Sequence, residues 1–205
     1  MPLNPEATKR RIFAAAVDEF ATHGVAGARV DRIATNAKAN KESIYRYYGT
    51  KDELLGRVLD QYLDERGHDM LPTSKDLDQY AADMIAFHRA HPEFLRLSLW
   101  EALESGSQLS SEHVAHRREH YQSKLESVTE MQSAGAIDPD IDPRFLLIVL
   151  YAMAGWWFVL PQSARMIMGE ELDADDLDRF TEFVAESIRK IAAPARKKSA
   201  PKARR

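Results

Sequence analysis

The sequence predicts an all-α protein of about nine helices, and three observations carry that expectation. Apolar residues recur at spacings of three and four from end to end, whereas alternating, strand-like runs are scarce. Capping residues stand at the starts of the periodic stretches, and glycine or proline often stands at their ends. The 205 residues are 44% hydrophobic and 29% charged, the balance of a soluble globular chain long enough to bury a sizeable core.

The first helix spans about residues 5–22, with Ile12, Phe13, Ala16, Val17 and Phe20 on one face and Gly24 closing it. A short helix around 30–37 turns Val30, Ile33 and Ala34 inward. Lys38-Ala39 makes a tight break, and Asn40 caps a third helix over 41–48. Thr50-Lys51-Asp52-Glu53 has the form of a capping box and opens a long helix to about residue 66.

Residues 76–90 carry Leu77, Tyr80, Met84 and Phe87 at helical spacing, and Pro92 stands where a helix start tolerates it, before EFLRLSLWEAL. The next helix covers 111–134 and ends at Gly135. Asp142-Pro143 supplies a cap and a first-turn proline for RFLLIVLYAMAGWWFVL, which Pro161 stops. The last helix, about 174–192, has Asp175 and Asp176 in its first turn and Arg189 and Lys190 in its last, as the helix dipole favours.

Charge is segregated along the chain. Residues 1–52 hold nine Lys/Arg against six Asp/Glu, and residues 53–191 hold thirteen against twenty-six. The last fourteen residues add six basic groups and no acid. A basic amino-terminal module on an acidic body suits a polyanion docked at one end. The expected organisation is a basic helical unit over 1–51, a larger acidic helical unit over 52–193, and a basic, disordered tail over 194–205. There is no cysteine, so disulfide and thiolate chemistry are excluded. No cofactor is expected. The amino terminus has no apolar stretch of signal-peptide length, which points to the cytoplasm.

Three tyrosines within four positions, in NKESIYRYYGTKDEL, stand out in this polar, basic module. A supporting helix, a short helix, a sharp turn and a capped helix describe a helix-turn-helix. Its second helix enters the major groove of double-stranded DNA and presents its first residues to base edges. Those residues are Lys41, Glu42 and Ser43, a donor, an acceptor and a group that serves either way. Tyr45 and Tyr47 lie further along, where a ring packs on the sugar–phosphate wall and its hydroxyl reaches phosphate. Lys51 adds charge at a helix start whose free amides already attract anions.

The stretch RVDRIATNAKANKESIYRYYGTKDEL resembles the DNA-binding segment of TetR-type transcriptional repressors. The matching features are Ile33-Ala34, the aromatic run Tyr45, Tyr47 and Tyr48, and Lys51 to Leu54. The resemblance covers residues 8–58 by motif and the remainder by layout alone. It implies base contacts from Lys41 to Ser43, phosphate contacts from Tyr45, Tyr47 and Lys51, and a core position for Tyr48. Two positions depart from the family. Lys38 replaces a turn glycine, at about 1 kcal/mol if the backbone there is left-handed. Arg29 replaces a capping Ser or Thr, and offers a phosphate contact instead.

Phe145 to Leu160 is a run of sixteen residues without a charged or amide side chain. As a helix it is about 24 Å long, short of the ~30 Å apolar core of a bilayer, so no membrane span is expected. A helix apolar all round needs cover on every side. With the stripe on the last helix it predicts a four-helix homodimer interface, with Leu150, Met153, Trp157, Phe180, Val184 and Ile188 as candidates. The resemblance implies the same dimer, a palindromic operator, and a small-molecule effector held among the middle helices. Tyr62, Met84, Phe87, His88, Trp100 and Tyr121 are the candidate ligand contacts, with Met70, Phe94 and Leu97 in the same region; the mix suits a mostly apolar effector.

The competing chemistry comes from EHVAHRREH. His116 to His120 matches H-x-x-E-H, a zinc-hydrolase pattern, and His113 lies one turn earlier. A regulatory metal site on these three histidines is the alternative form of the regulator. An architectural DNA binder without effector is the third reading.

Overall fold

The computed structural model describes residues 4–67, 77–105, 109–169 and 172–194. Among the described residues ten helices make up the fold: α1 (Pro5–Gly27), α2 (Val30–Asn36), α3 (Lys41–Tyr48), α4 (Lys51–Gly67), α5 (Leu77–Ala90), α6 (Pro92–Ser105), α7 (Ser111–Ser133), α8 (Pro143–Val159), α9 (Pro161–Met168) and α10 (Ala174–Ala192). Met70, the helix start expected at Asp76 and all of the basic tail after Pro194 lie outside the described residues.

Local chemistry sets the helix ends. The Asn40 side chain accepts from the Ser43 amide at 2.8 Å, and the Asp142 side chain accepts from the Arg144 amide at 2.9 Å. Thr50 and Glu53 exchange both capping-box hydrogen bonds, at 2.7 and 3.3 Å. Asp173 and Asp176 form a second such box at the start of α10. At Gly24 the backbone turns left-handed (φ 65°), and α1 kinks there before ending at Gly27. The tenth helix, α9, was not expected. Pro161 does end α8, but it also occupies the first turn of a new helix, where a missing N–H costs nothing. The axes of α8 and α9 meet at 83°.

Two apolar cores organise these helices. The first gathers Ile12, Ala16 and Phe20 of α1, Ile33 of α2, Ile44 and Tyr48 of α3, and Leu54, Leu55, Val58 and Leu59 of α4, with Leu97 of α6. It continues well past residue 51, so the boundary drawn there from sequence cuts through it. The second core gathers Tyr80, Met84 and Ile85 of α5, Val128 and Met131 of α7, Leu147 and Leu150 of α8, and Val184 and Ile188 of α10.

That second core corrects part of the expected dimer surface. Leu150, Val184 and Ile188 are fully buried inside their own chain. The stripe on α10 is real, but it seals α10 onto α5 and α8 of the same chain. Met153, Trp157 and Phe180 are half-buried beside it, Trp157 and Phe180 with ring centres 4.9 Å apart. The apolar side chains left outside are different ones: Phe145 (66% exposed), Ile148 (63%) and Trp156 on α8, and Phe183 (65%) and Ile191 on α10. Among the described residues no single helix is long and apolar enough to cross a membrane.

Candidate nucleic-acid interface and ligand cavity

The recognition surface is built on α1. Ile33, Ala34 and Ala37 from α2 and the turn, and Ile44 and Tyr48 from α3, are buried against it and fix both short helices. The turn runs through Lys38, at φ 49°, the one non-glycine residue with positive φ among those described. Its amide donates to the Thr35 carbonyl at 3.1 Å, and Arg11 Nε reaches over from α1 to the Ala37 carbonyl at 2.9 Å. Arg29 precedes α2 without a side-chain cap. A tertiary contact replaces it: buried Glu19 of α1 accepts from the Arg29 amide at 2.7 Å and from Arg32 Nε at 2.9 Å. Burial would raise the Glu19 carboxyl, but the bonds from Arg32 and Arg29 outweigh it and hold the group below its ordinary range.

With the inner faces fixed, the outer ones follow. Lys41, Glu42, Tyr45 and Arg46 are exposed on α3, and Ser43 is half-exposed. Lys41 forms an ion pair with Asp31 of α2. Tyr48 turns inward, its hydroxyl donating to the Lys9 carbonyl at 3.1 Å, and burial pushes it up to about 12. Tyr47 is half-buried between two cations. Lys9 Nζ lies 5.6 Å from its ring centre and the Arg46 guanidinium 4.7 Å, with Arg46 Nη2 donating to its hydroxyl at 3.0 Å. Lys51 is tied back to α1, donating to the Val25 carbonyl at 2.8 Å. Lys9 and Arg46 were not among the sequence candidates. Arg46, between two tyrosines of the motif, was legible there; Lys9, thirty-eight residues before Tyr47, was not.

Residues 12–58 match the family model described as bacterial regulatory proteins, tetR family, and residues 76–190 match the tetracyclin repressor-like C-terminal domain. The chain belongs to the TetR family. By family it is a ligand-responsive DNA-binding repressor. It is 43% identical over 189 residues to the HTH-type transcriptional repressor SCO4008 of Streptomyces coelicolor, covering 92% of this chain and 95% of that one. It is 28% identical to the repressor Rv3405c of Mycobacterium tuberculosis, covering 86% of each. Among solved structures, the transcriptional regulator SCO4942 of Streptomyces coelicolor superposes with a TM-score of 0.75 at 29% identity, covering 90% of this chain and 98% of that one. The fold is shared with FadR from Bacillus subtilis, whose structure holds stearoyl-CoA, at 18% identity, a TM-score of 0.63, and coverage of 89% and 98%.

This TetR-family chain has a partly open cavity of about 260 Å³ in its body, lined by residues of α4 to α8. Tyr62, Met84, Phe87, His88 and Tyr121 all line it. Trp100 does not: its ring lies against Gly24, where a Cβ would meet Cε2 and Cζ2 at 3.0 Å. Sequence reasoning missed Tyr80, Lys124 and Tyr151, which also line the cavity. Lys124 hides in a polar-looking helix. The inward spacing 117, 121, 124, 128, 131 along α7, which continues to Val128 and Met131, was the signal that could have found it. Burial lowers Lys124 to about 8 and His88 to about 4. His88 Nδ1 is buried without a hydrogen-bond partner.

The three histidines of α7 diverge. His113 Nδ1 pairs with Asp60 of α4. His116 Nε2 lies 2.9 Å from Asp64, close but not aligned as a hydrogen bond. His120 lines the cavity beside Tyr121. Among the described residues no three His, Asp or Glu side chains meet where a metal ion would sit. Arg117, between them, bridges Asp60 at 2.8 Å and Glu101 at 2.9 Å. Burial would lower its pKa, but the Glu101 and Asp60 carboxylates outweigh that and raise it. The polar run of H-x-x-E-H thus bolts α7 onto α4 and α6.

Proposed function

We propose that the chain represses transcription as a homodimer on a palindromic operator and is released by a small, mostly apolar effector bound in the body cavity. One observation supports this above the others: the cavity and the DNA-binding core share two helices. On α4, Leu54, Leu55 and Val58 belong to the first core while Tyr62 and Leu63 line the cavity. On α6, Leu97 belongs to the first core while Phe94, Leu95 and Ser98 line the cavity. A ligand that shifts either helix therefore shifts the seat of α3.

Base contacts from Lys41, Glu42 and Ser43 and backbone contacts from Arg29 and Tyr45 suit the outer face of the module, and half-buried Tyr47 and Lys51, the latter on release from the Val25 carbonyl, are assigned to the backbone beside it. Two such faces, related by a twofold axis, read half-sites about 34–36 Å apart or a multiple of that. The outer face of α8 and α10 is the surface we assign to the second copy. Effector and operator then oppose each other reciprocally, each lowering the other's affinity by the same factor.

Selection of sites from random duplex DNA tests the reading. The wild-type protein is expected to enrich one palindrome, and a Tyr47→Ala, Lys51→Ala double variant is not. No enrichment by the wild type would sink the operator reading.

A further inference from the structure

Rings make up most of the cavity wall, and the His88 ring among them carries an unmet polar group: Nδ1 is buried without a hydrogen-bond partner. The side chain is 5% exposed and sits among aromatic carbon. Its ring lies nearly parallel to Phe94, with centres 6.4 Å apart, and its centre is 5.6 Å from that of Phe87 and 5.8 Å from that of Phe158. A polar atom unpaired in such a place forfeits the bonds it makes in water, and an occupant that supplies a partner restores one. A half-turn about Cβ–Cγ exchanges each nitrogen with a carbon in the same outline, so whichever edge of the ring borders the cavity can present a nitrogen. Burial lowers the ring to about 4, so at pH 7 it is neutral, with one N–H and one bare nitrogen. A hydroxyl both donates and accepts, and so pairs with either.

Size and charge narrow the occupant further. An apolar cavity of about 150 Å³ holds benzene, so this one, at about 260 Å³, accommodates one substituted ring or two fused rings. Surrounding rings favour a flat, aromatic body. Among the described lining residues there is no carboxylate to receive a cation. Lys124, the charged residue of that lining, is already engaged within the chain. An ion entering here exchanges its water for walls of ring and aliphatic carbon, a cost that an uncharged molecule does not bear.

We propose that the cavity takes an uncharged, hydroxyl-bearing aromatic molecule of one or two fused rings, with its hydroxyl on the His88 imidazole and its body against Phe87, Phe94 and Met84. This rests on the reading of the cavity as the effector site. His88 is on α5 and Phe94 on α6, so an occupant held by both bears on α6, which also reaches into the first core.

Four probes of one shape test this: 1-naphthol, 1-methylnaphthalene, anionic 1-naphthoate and cationic 1-naphthylmethylammonium, each equilibrated by dialysis with the full-length protein at pH 7. The wild type is expected to bind naphthol more tightly than either ion, and either ion binding as tightly as naphthol overturns the proposal. His88→Phe keeps a ring at the position and removes both nitrogens. It is expected to weaken naphthol at least about fivefold relative to methylnaphthalene, the scale of one hydrogen bond. Retained methylnaphthalene binding shows that the variant is folded, and equal effects on the two probes overturn the proposal. A measurement on the wild type stands in should the variant not fold. The ring-nitrogen NMR resonances of His88 are expected to move further with naphthol than with methylnaphthalene, and equal movement overturns the proposal. Failure of the cavity reading looks different. If all four probes fail to bind, or if Met84→Trp leaves all four affinities unchanged, the cavity is not the site and both readings fall. If naphthol binds through His88 but does not weaken operator binding, the ligand class stands and the effector role falls.

Discussion

At the scale of single residues, the body keeps two bases where their charged forms are costly. His88, 5% exposed and lowered by burial to about 4, favours the neutral ring in the folded state. The unfolded chain, with an ordinary histidine near 6.5, binds more protons between those values. His88 therefore contributes stability that is full above pH 6.5 and is lost as pH falls toward 4, on the order of 3 kcal/mol. His88→Phe is expected to flatten that part of a denaturation-versus-pH curve, and an unchanged slope would remove His88 as its source. Lys124 has the same sign at higher pH. Burial lowers it to about 8, so the stability tied to it is lost as pH falls from about 10.4 through that value. Lys38 carries strain of another sort, a left-handed backbone that glycine adopts freely. Lys38→Gly is expected to stabilise the helix-turn-helix by up to about 1 kcal/mol, readable as slower hydrogen exchange in α2 and α3. The sequence pointed to that position through the glycine expected there. It did not point to Lys124, because a lysine between Ser123 and Leu125 looks like any solvated helix residue.

At the scale of elements, legibility depended on whether the signal was local. Caps at Asn40, Thr50 and Asp142 are neighbours in sequence of the amides they satisfy, and the structure has all three. The cap at α2 is supplied by Glu19, ten residues upstream, and no local pattern announces it. The stripe on α10 gave the element correctly but not its partner, since a heptad face fits its own chain as well as a second copy. Gly24 is where two elements meet without slack. Its positive φ and the Trp100 ring at 3.0 Å both exclude a side chain. Gly24→Ala is expected to cost about 1–3 kcal/mol and to loosen α6 from α1, seen as a lower melting temperature. Gly135 also has positive φ, but a Cβ there would meet nothing within 4 Å. Gly135→Ala should therefore show the backbone cost alone, and an equal loss at both sites would mean that the Trp100 contact contributes nothing.

At the scale of the whole molecule, the proposed homodimer makes the outer face of α8 and α10 the surface that couples two recognition helices. Ile148→Asp or Phe183→Asp is expected to give a monomer in sedimentation equilibrium and to lower operator affinity at least about a hundredfold, because binding through both half-sites is lost. Leu150→Ala, two residues beyond Ile148 and facing inward, should instead cost roughly 2–5 kcal/mol of folding stability and leave association intact. A dimeric Phe183→Asp variant would move the interface elsewhere. The architecture was legible at this scale because the helix-turn-helix motif is short and specific. The cavity was legible only in part, because Tyr80 and Tyr151 read as ordinary core and Lys124 as a solvated residue.

The seat of Trp100 on Gly24 also makes the molecule its own optical instrument. The other two tryptophans, Trp156 and Trp157, stand together on α8, at and beside the outer face. With both replaced by phenylalanine, every photon of indole emission comes from the junction between α1 and α6. A shift in its colour or lifetime on adding ligand then times the movement of that junction directly, without a dye attached to a chain that has no cysteine to carry one.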